Sequence, residues 1–499
     1  MKKTIILFQP KFWPGPLFNE KPRTKTYYHE MRVNFNYLPL GILSVGTALK
    51  DKYDVRIIDQ RFDRDWREQV AEILRDREVL FAGVSACTGY DISGGIRFSE
   101  VVREAGAGVP VVWGGWHSST VPGQTIMSRH VDIAVTGQGE QTALELAERL
   151  ESGLDSLEGI RGITYINSDG EIVHEPDREI CPASELPEID YTMVDVDRYL
   201  RYKDGTPARL FYMSTIGCPF RCSFCSIAAV YKRHWSSKPP ERIVREIRYF
   251  VEKHGTDTVE LDGTNFFANP KWAKEVLRAL IDNGLRLNYV SATRADIILR
   301  WDDEMKDLIK KVGFRSLGVG GESGSQRMLD KIDKGIKVGD LLESLKVLKT
   351  LDIEPAYTFM FGLPGETLEE SKMTLDVMAR LKKEMPKVRT PGLFYHAFPG
   401  SETFLQYQRE HNIPDMSLEE WARYSFDLTH TESLSITGKY VDFIRERLKY
   451  LEWAYPTESN RRGVLWNIFS WLARMRVNRG FYMLPFEWML SKRLKKGSV

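Results

Sequence analysis

Cys218-Pro-Phe-Arg-Cys222-Ser-Phe-Cys225 places three thiols within eight residues, directly after an apolar run that reads as a strand, Leu210–Thr215. The chain has five cysteines in 499 residues, so three in one short stretch stand far above composition. An odd, low count with such clustering speaks for a reducing compartment and a metal or cofactor site, not for disulfides. Structural zinc takes four ligands. The nearest side chain able to complete such a knob is His234. Three thiolates also suit a [4Fe–4S] cluster with one iron left open, because four cysteines close it. An open iron can bind a ligand and pass it an electron.

The surroundings of the motif read as repeated β/α units. Strands are expected at Leu210–Thr215, Thr258–Leu261, Leu287–Ala292, Ser316–Val319, Glu354–Phe361 and Val388–Phe394. Helices are expected at Pro240–Lys253, Pro270–Asp282, Asp303–Val312, Val338–Leu351 and Leu368–Lys383. Six repeats over 206–398 predict a partial (β/α)6 barrel, in which chemistry sits at the C-terminal ends of the strands.

Residues 1–150 carry an earlier β/α run. Strands are expected at Thr4–Phe8, Val55–Ile58, Val79–Val84, Val111–Trp113 and Ile133–Val135. Helices at Leu40–Lys50, Trp66–Asp76, Ile92–Ala105 and Thr142–Leu150 separate them. This alternation predicts an α/β fold: a doubly wound, Rossmann-like parallel sheet with helices on both faces. A long aromatic and proline-rich loop, residues 11–36, follows the first strand. Residues 151–205 read as a linker, with a hairpin turning at Asp169-Gly170 and a proline- and acid-rich tether. Residues 399–499 read as a helical C-terminal region.

The spacing Cys-x3-Cys-x-aromatic-Cys, with Phe224 as the aromatic, resembles the signature of radical S-adenosylmethionine enzymes. The resemblance implies a cluster held by Cys218, Cys222 and Cys225, whose open iron chelates the methionyl group and cleaves the sulfonium to a 5′-deoxyadenosyl radical. By the same resemblance, Phe224, Asp262, Arg294, Gly321, Glu322 and Gly362 would contact S-adenosylmethionine. Glu322 would take the ribose hydroxyls and Arg294 the methionyl carboxylate, by a bidentate fork. The stretch Asp262-Gly-Thr-Asn-Phe266 stands where the family often has Gly-Gly-Glu.

The order of α/β domain, tether and barrel resembles the cobalamin-dependent branch of that family, which includes methylases and a ring cyclase of pigment synthesis. The matching residues are Leu38-Pro-Leu-Gly41, Gly114-Gly115-Trp-His117-Ser118 and Gly137-Gln-Gly139-Glu140. With Ser85 and Thr88 they would line the cobalamin, their glycines admitting its nucleotide tail and their polar groups bonding its amides or phosphate. None of the nine histidines lies in an Asp-x-His-x-x-Gly stretch, so no histidine is expected beneath the cobalt. His117 is expected to hydrogen-bond. An empty scaffold domain is the competing reading. Residues 1–150 hold only Cys87, too few thiols for the second cluster of the methylthiotransferases.

Net charge is +1, from 70 basic and 69 acidic side chains, and hydrophobic residues make up 42%. Disorder and a disulfide mini-protein are excluded. The last 41 residues carry nine basic side chains against Glu487 alone, interleaved with aromatics including Trp466, Phe469, Trp471, Phe481, Tyr482, Phe486 and Trp488. That tail reads either as an interfacial helix or as a helix packed on the barrel. The remainder is acidic, which disfavours nucleic acid. No stretch reaches the length of a membrane span.

These readings lead to a cytoplasmic enzyme, with membrane association through the tail as an option. The expected activity is a cobalamin-dependent C-methyltransferase working through the adenosyl radical and methylcobalamin. A cobalamin-dependent oxidase or cyclase, and a non-enzymatic iron–sulfur or cobalamin sensor, are the alternatives. The expected partners are a small-molecule substrate, hydrophobic or lipid if the tail reports on it, and an external low-potential electron donor.

Overall fold

The computed structural model describes residues 2–11, 37–106, 108–153, 156–200, 209–262, 264–424, 438–456 and 463–479. The first loop and the tail beyond Arg479 lie outside the described residues, as do the expectations that fall on them. The chain divides into two compact units: Met1–Thr264 with Ala397–Asp427, and Asn265–His396 with Leu428–Val499.

The first unit is organised by β1 (Thr4–Gln9), where Ile5, Ile6, Leu7 and Phe8 are all buried. A strand apolar on both faces is the mark of a central parallel strand covered by helices. It pairs in parallel with β2 (Asp54–Asp59) and β3 (Val79–Ser85). Beyond β3 come β4 (Val111–Gly114) and β5 (Ile133–Val135), also parallel. The order β2-β1-β3-β4-β5 reverses direction between β1 and β3, the switch point where doubly wound sheets open a ligand crevice. Helices α1 (Leu40–Leu49), α2 (Trp66–Asp76), α3 (Tyr90–Ala105) and α4 (Glu140–Glu151) connect these strands. Leu146 and Ala147 of α4 join Ile5, Leu7, Ile42 and Leu49 in one apolar cluster.

The expected hairpin forms as β6 (Ile163–Ile166) and β7 (Ile172–His174). It is more than a spacer, because β6 pairs antiparallel with β5 and extends the sheet to seven strands. Buried Ile163 and Tyr165 enter the same core. The tether that follows is pinned by Arg242, which donates to the Leu186 carbonyl at 2.7 Å and the Pro187 carbonyl at 2.9 Å.

Still in the first unit, β8 (Arg209–Met213) runs into β9 (Thr215–Gly217), the cysteine loop, and the short helix α5 (Ile227–Tyr231). β10 (Trp235–Ser237) pairs antiparallel with β9. Then follow α6 (Pro240–His254) and β11 (Thr258–Asp262), which lies parallel to β8. The β9–β10 pair was not expected from sequence; each strand is three residues long and carries no periodic signal.

The second unit holds β12 (Asn288–Arg294), β13 (Phe314–Glu322), β14 (Glu354–Phe361) and β15 (Gly392–Phe394), parallel in that order. Helices α7 (Pro270–Asp282), α8 (Asp303–Val312), α9 (Val338–Thr350) and α10 (Leu368–Glu384) accompany them. Local chemistry starts them where the sequence indicates: Asn269 caps α7, which begins on Pro270, and Thr367 and Glu370 form a capping box on α10. Strand β15 is shorter than expected, since of Val388–Phe394 only Gly392–Phe394 pairs continuously, with Arg389 forming an isolated bridge.

Two short helices, α11 (Glu402–Glu410) and α12 (Leu418–Arg423), return to the first unit. The second unit ends in α13 (Gly438–Ala454) and α14 (Gly463–Arg479). Buried Tyr450, Trp453, Tyr455 and Ala473 join these two helices. Arg474 donates to the Ala454 carbonyl and lies over the Tyr455 ring, while Arg476 lies over Tyr450. Two basic side chains of the tail thus serve packing. Among the described residues no helix is long and apolar enough to cross a membrane.

Candidate functional site

The cysteine loop begins at a backbone position that demands glycine. Gly217 has φ of +68°, and a Cβ there would overlap the carbonyl oxygen of His234. The β9–β10 pairing, which sets Gly217 opposite Trp235, therefore fixes where the loop leaves. Cys218, Cys222 and Cys225 are half-buried and free of disulfides, and Phe224 is half-buried between the last two. The Cys225 amide donates to the Cys222 carbonyl at 3.1 Å. The Thr403 amide donates to the Ser223 carbonyl at 3.0 Å, and the two hydroxyls meet at 2.9 Å, which ties the loop to α11. Among the described residues no three His, Cys, Asp or Glu side chains converge on one point. The fit to a cluster thus rests on the donor set: three thiols on one short loop, which is the chemistry of an iron–sulfur site. Replacing Gly217 with alanine should cost more than about 1 kcal/mol, because alanine cannot take this φ without strain. A lower urea midpoint together with reduced iron uptake checks this; an unchanged midpoint refutes it.

The glycine-rich loops of the first unit rise from one edge of its sheet, the C-terminal ends of β3, β4 and β5. Ser85 and Gly114 end β3 and β4, and Gly139 and Glu140 start α4. Buried Leu38 precedes α1, and Gly41 within α1 faces the Ser85 hydroxyl, with 3.7 Å from an added Cβ. Nothing lies within 4 Å of a Cβ at Gly137, and at Gly114 the nearest atoms are 3.9 Å away. Gly115 differs: its φ is +91°, and a Cβ would come within 2.9 Å of the Ala86 amide and carbonyl. That close approach stitches the β3 and β4 loops together through Ala86 N–H to Gly114 and His117 N–H to Ala86, both at 3.1 Å.

His117 is fully buried, and burial takes its pKa down to about 3, so the imidazole is neutral. One ring nitrogen, Nδ1, meets the Thr88 hydroxyl at 3.1 Å, and the ring lies edge-on to Trp421. His117 Nε2, Ser118 Oγ and Glu140 Oε2 are buried without a hydrogen-bond partner, although Glu140 Oε1 accepts from Ser44 at 2.6 Å. Unpaired buried polar atoms are rare and mark a place where a further group completes the bonding. Orphaned atoms beside open glycine loops at a switch point fit a large polar-rimmed cofactor such as cobalamin.

Two residues on the loop after β3 and the helix it enters add to this picture. Cys87 is exposed yet walled by protein mass, which pushes its thiol up to about 12, and Asp91 adds to the effect. Asp91 accepts from the Cys87 amide at 3.4 Å, and burial pushes its carboxyl up to about 7. An unfolded aspartate titrates near 3.8. Between these values the native chain holds a proton that the unfolded chain releases, so stability falls as pH rises from about 4 to about 7. Urea midpoints at pH 5 and pH 8 should therefore differ less in Asp91→Asn than in the native sequence. An equal difference would show that Asp91 does not carry this dependence.

In the second unit the expected residues meet at the C-terminal ends of β12, β13 and β14. Arg294 ends β12, Glu322 ends β13, and Gly362 follows β14. Asp262 ends β11 in the first unit, and its side chain lies outside the described residues. Glu322 has φ of +57°, a left-handed conformation that costs a non-glycine residue about 1–2 kcal/mol. An ion pair to Lys334 at 2.6 Å, with both side chains nearly buried, opposes that strain. Gly320 leaves room for it, since a Cβ there would sit 2.6 Å from Lys334 Nζ. At Gly321 a Cβ would press 3.0 Å onto the Phe359 ring. Arg294 is buried, and it donates to Asp296 at 2.9 Å and to the Lys334 carbonyl. Its guanidinium thus braces the Glu322–Lys334 pair. After β14, the Gly362 and Leu363 amides donate to Glu366, which also accepts from Tyr440 at 3.3 Å. Burial pushes Glu366 up to about 7. Lys334, Tyr440 and Asp91 were not singled out in the sequence; none stands in a motif whose spacing gives it a role.

Comparison with known proteins finds two family profiles in the chain. The profile of the Radical SAM superfamily matches residues 212–378, and that of the B12 binding domain matches residues 31–147. The chain belongs to the cobalamin-dependent radical S-adenosylmethionine family. The cofactors of this enzyme are a [4Fe–4S] cluster, S-adenosylmethionine and cobalamin. It is similar to an uncharacterised methyltransferase of Pyrococcus horikoshii, 26% identical over 393 residues, spanning 78% of this chain and 81% of the relative. It is also similar to the anaerobic magnesium-protoporphyrin IX monomethyl ester cyclase of Rubrivivax gelatinosus, 23% identical over 445 residues, 86% and 77% of the two chains. Among solved structures it resembles the radical S-adenosylmethionine methyltransferase TsrM of Kitasatospora setae, with a TM-score of 0.67 at 18% identity. That likeness covers 96% of this enzyme and all of the other chain, which was solved with cobalamin and a [4Fe–4S] cluster bound. At this identity it speaks for the fold.

Proposed function

We propose that this enzyme transfers a methyl group from S-adenosylmethionine to an unactivated carbon of a small molecule. The observation that carries the reading is the pairing, in one chain, of a cysteine loop for an open cluster with a glycine-lined sheet edge bearing orphaned polar atoms. The similarity to a methyltransferase over most of both chains supports it. The bound groups would supply the hard chemistry: reductive cleavage of the sulfonium and a methyl carried on cobalt. The protein's part is binding, orientation and exclusion of water. Glu322, paired with Lys334 and braced through Arg294, would present a carboxylate to ribose hydroxyls. Gly321 and Gly362 let backbone approach the nucleoside. Neutral His117 and the Ser118 hydroxyl offer hydrogen bonds to cobalamin amides or phosphate.

The finer proposal, a hydrophobic substrate presented at a membrane surface, rests on Ile468 and Trp471, both more than half exposed on α14. Its cationic attraction would have to come from residues other than Arg474 and Arg476, which are engaged with α13.

The test uses S-adenosylmethionine carrying a labelled methyl group, with the anaerobically reconstituted enzyme under reducing conditions. Label appearing on the bound corrinoid, and then in product, supports methyl transfer. 5′-Deoxyadenosine formed with no label on either overturns it in favour of oxidation or cyclisation, the activity named for the Rubrivivax relative.

A further inference from the structure

We propose that Gln138 is a positioning residue: through the tether it holds a loop of the cobalamin edge and the cysteine loop at a fixed spacing. Both ends of its carboxamide are committed to one residue of the tether. Gln138 Nε2 donates to the Cys181 carbonyl at 2.9 Å, and the Cys181 amide donates to Gln138 Oε1 at 2.7 Å. This reciprocal pair needs a donor and an acceptor on one planar group, which glutamine supplies and an ionised glutamate does not. Gln138 stands between Gly137 and Gly139, on the loop read as lining cobalamin. Its side chain thus serves the tether and not the cofactor.

The bonding continues in both directions, all of it within the first unit. Towards the sheet edge, the Gly137 amide donates to the Ser119 hydroxyl at 3.0 Å, and that hydroxyl donates to the Gly115 carbonyl at 2.7 Å. Towards the cysteines, the Ala183 amide donates to Ser236 Oγ at 2.9 Å. Ser236 lies in β10 opposite Ile216 of β9, and the next pair sets Trp235 opposite Gly217. Cys218 follows Gly217 directly. Between the two anchored residues, Cys181 and Ala183, stands Pro182, whose ring fixes φ. Ala183 is itself buried. The segment is a short, stiff strut. One end is fastened to the loop after β5, the other to the strand pair that launches the cysteine loop.

The reaction needs such a strut. Group transfer between partners held on separate loops depends on their placement, and a misplacement of about 1 Å can cost about 100-fold in rate. Between Gln138 and Ser236 the chain runs through a helix, a hairpin and the tether, and covalent connection over that length sets no spacing. The hydrogen-bonded route through Cys181 and Ala183 does. The proposal rests on the reading that the two loops hold cobalamin and the cluster.

The test uses the full-length chain with Gln138→Met and Ser236→Ala, and Arg178→Ala as control. Methionine keeps the side chain's length and removes both hydrogen bonds. Arg178 ties the same tether to Thr142 and Glu145 of α4, outside the strut. Amide hydrogen exchange is followed by mass spectrometry on the chain without cofactors. Gln138→Met should speed exchange about 10-fold at residues 181–183, the scale of one or two net hydrogen bonds, and also at 215–217 and 235–237. Ser236→Ala should do the same at 215–217, and the double variant should add nothing there, because both act on one strut. Arg178→Ala should leave 215–217 at the native rate. After anaerobic reconstitution, Gln138→Met should load native amounts of iron and cobalt. Its kcat for label transfer from S-adenosylmethionine to the bound corrinoid should fall about 10-fold or more, with KM for S-adenosylmethionine within about two-fold of native. Exchange at 215–217 within about two-fold of native in Gln138→Met, or an equal effect from Arg178→Ala, overturns the proposal. Faster exchange with an unchanged kcat overturns it too, since the strut would then be structural only. If Gln138→Met does not fold, Ser236→Ala decides by the same criteria. A native chain that binds no cobalamin would instead refute the cofactor reading, and the exchange measurement would still decide whether the strut joins the two loops.

Discussion

Cys222→Ala is expected to abolish turnover and to drop the iron content far below the roughly four atoms of a complete cluster. Cys222 is the middle cysteine of the loop, and as a proposed ligand it has no neighbour able to replace it. The Cys225 amide bonds to its backbone carbonyl, not to its thiol, so the turn survives the substitution. The anchors to Thr403 run through Ser223 and are likewise untouched. The folded chain should therefore persist with an unchanged unfolding midpoint while cluster and radical chemistry are lost. Iron analysis and 5′-deoxyadenosine formation read the two effects separately. A variant that keeps full iron and forms the nucleoside at the native rate would show that the three cysteines are not the ligand set.

The second large effect is expected at Glu322, this time on stability as well as binding. Glu322→Ala leaves Lys334 nearly buried without its carboxylate, and breaking a buried pair from one side costs about 3–5 kcal/mol. The alanine also inherits the left-handed backbone at φ +57°. Exchanging both partners for apolar residues, Glu322→Leu with Lys334→Met, should recover much of that loss, because no unpaired charge remains. Neither variant should bind S-adenosylmethionine with native affinity. Urea unfolding and calorimetric titration with the nucleoside distinguish the two effects. A double variant no more stable than the alanine variant would show that the ion pair is not what Lys334 contributes. Native affinity in either variant would remove Glu322 from the binding site.

Much of the architecture was legible because it rests on short-range signals. Continuous β-branched runs such as Thr4–Phe8 mark strands covered on both faces, and they lie where expected, within one or two residues. Caps such as Asn269-Pro270 and Thr367 with Glu370 fix helix starts from four residues of sequence. The cysteine loop was legible for a different reason: one loop carries all three thiols proposed as ligands, so their spacing alone marks the candidate site. What escaped the sequence is long-range. Lys334 acquires its role from the fold-back after β13, and Tyr440 reaches Glu366 from a helix far along the chain. Arg294 is identifiable as a strand-end cation, but its commitment to Asp296 and the Lys334 carbonyl depends on which elements surround it. The brevity of β9 and β10 hid a pairing that a single glycine conformation reveals.

The return of Ala397–Asp427 to the first unit has a consequence for how the chain is made. His117 lies against Trp421, and the Trp421 indole donates to Gln124 at 2.7 Å, so the first unit contains a piece synthesised long after its sheet. At about 5–20 residues per second, the ribosome delivers Asp427 roughly ten to thirty seconds after Thr264. During that interval the emerging sheet must wait with the face around His117 uncovered, while the whole of β12 to β15 emerges. A nascent chain in this state offers chaperones a defined, temporary client surface. Gene fragments cut at the linear boundary near residue 150 would carry that surface permanently, and they should aggregate unless the segment bearing Trp421 is supplied in trans.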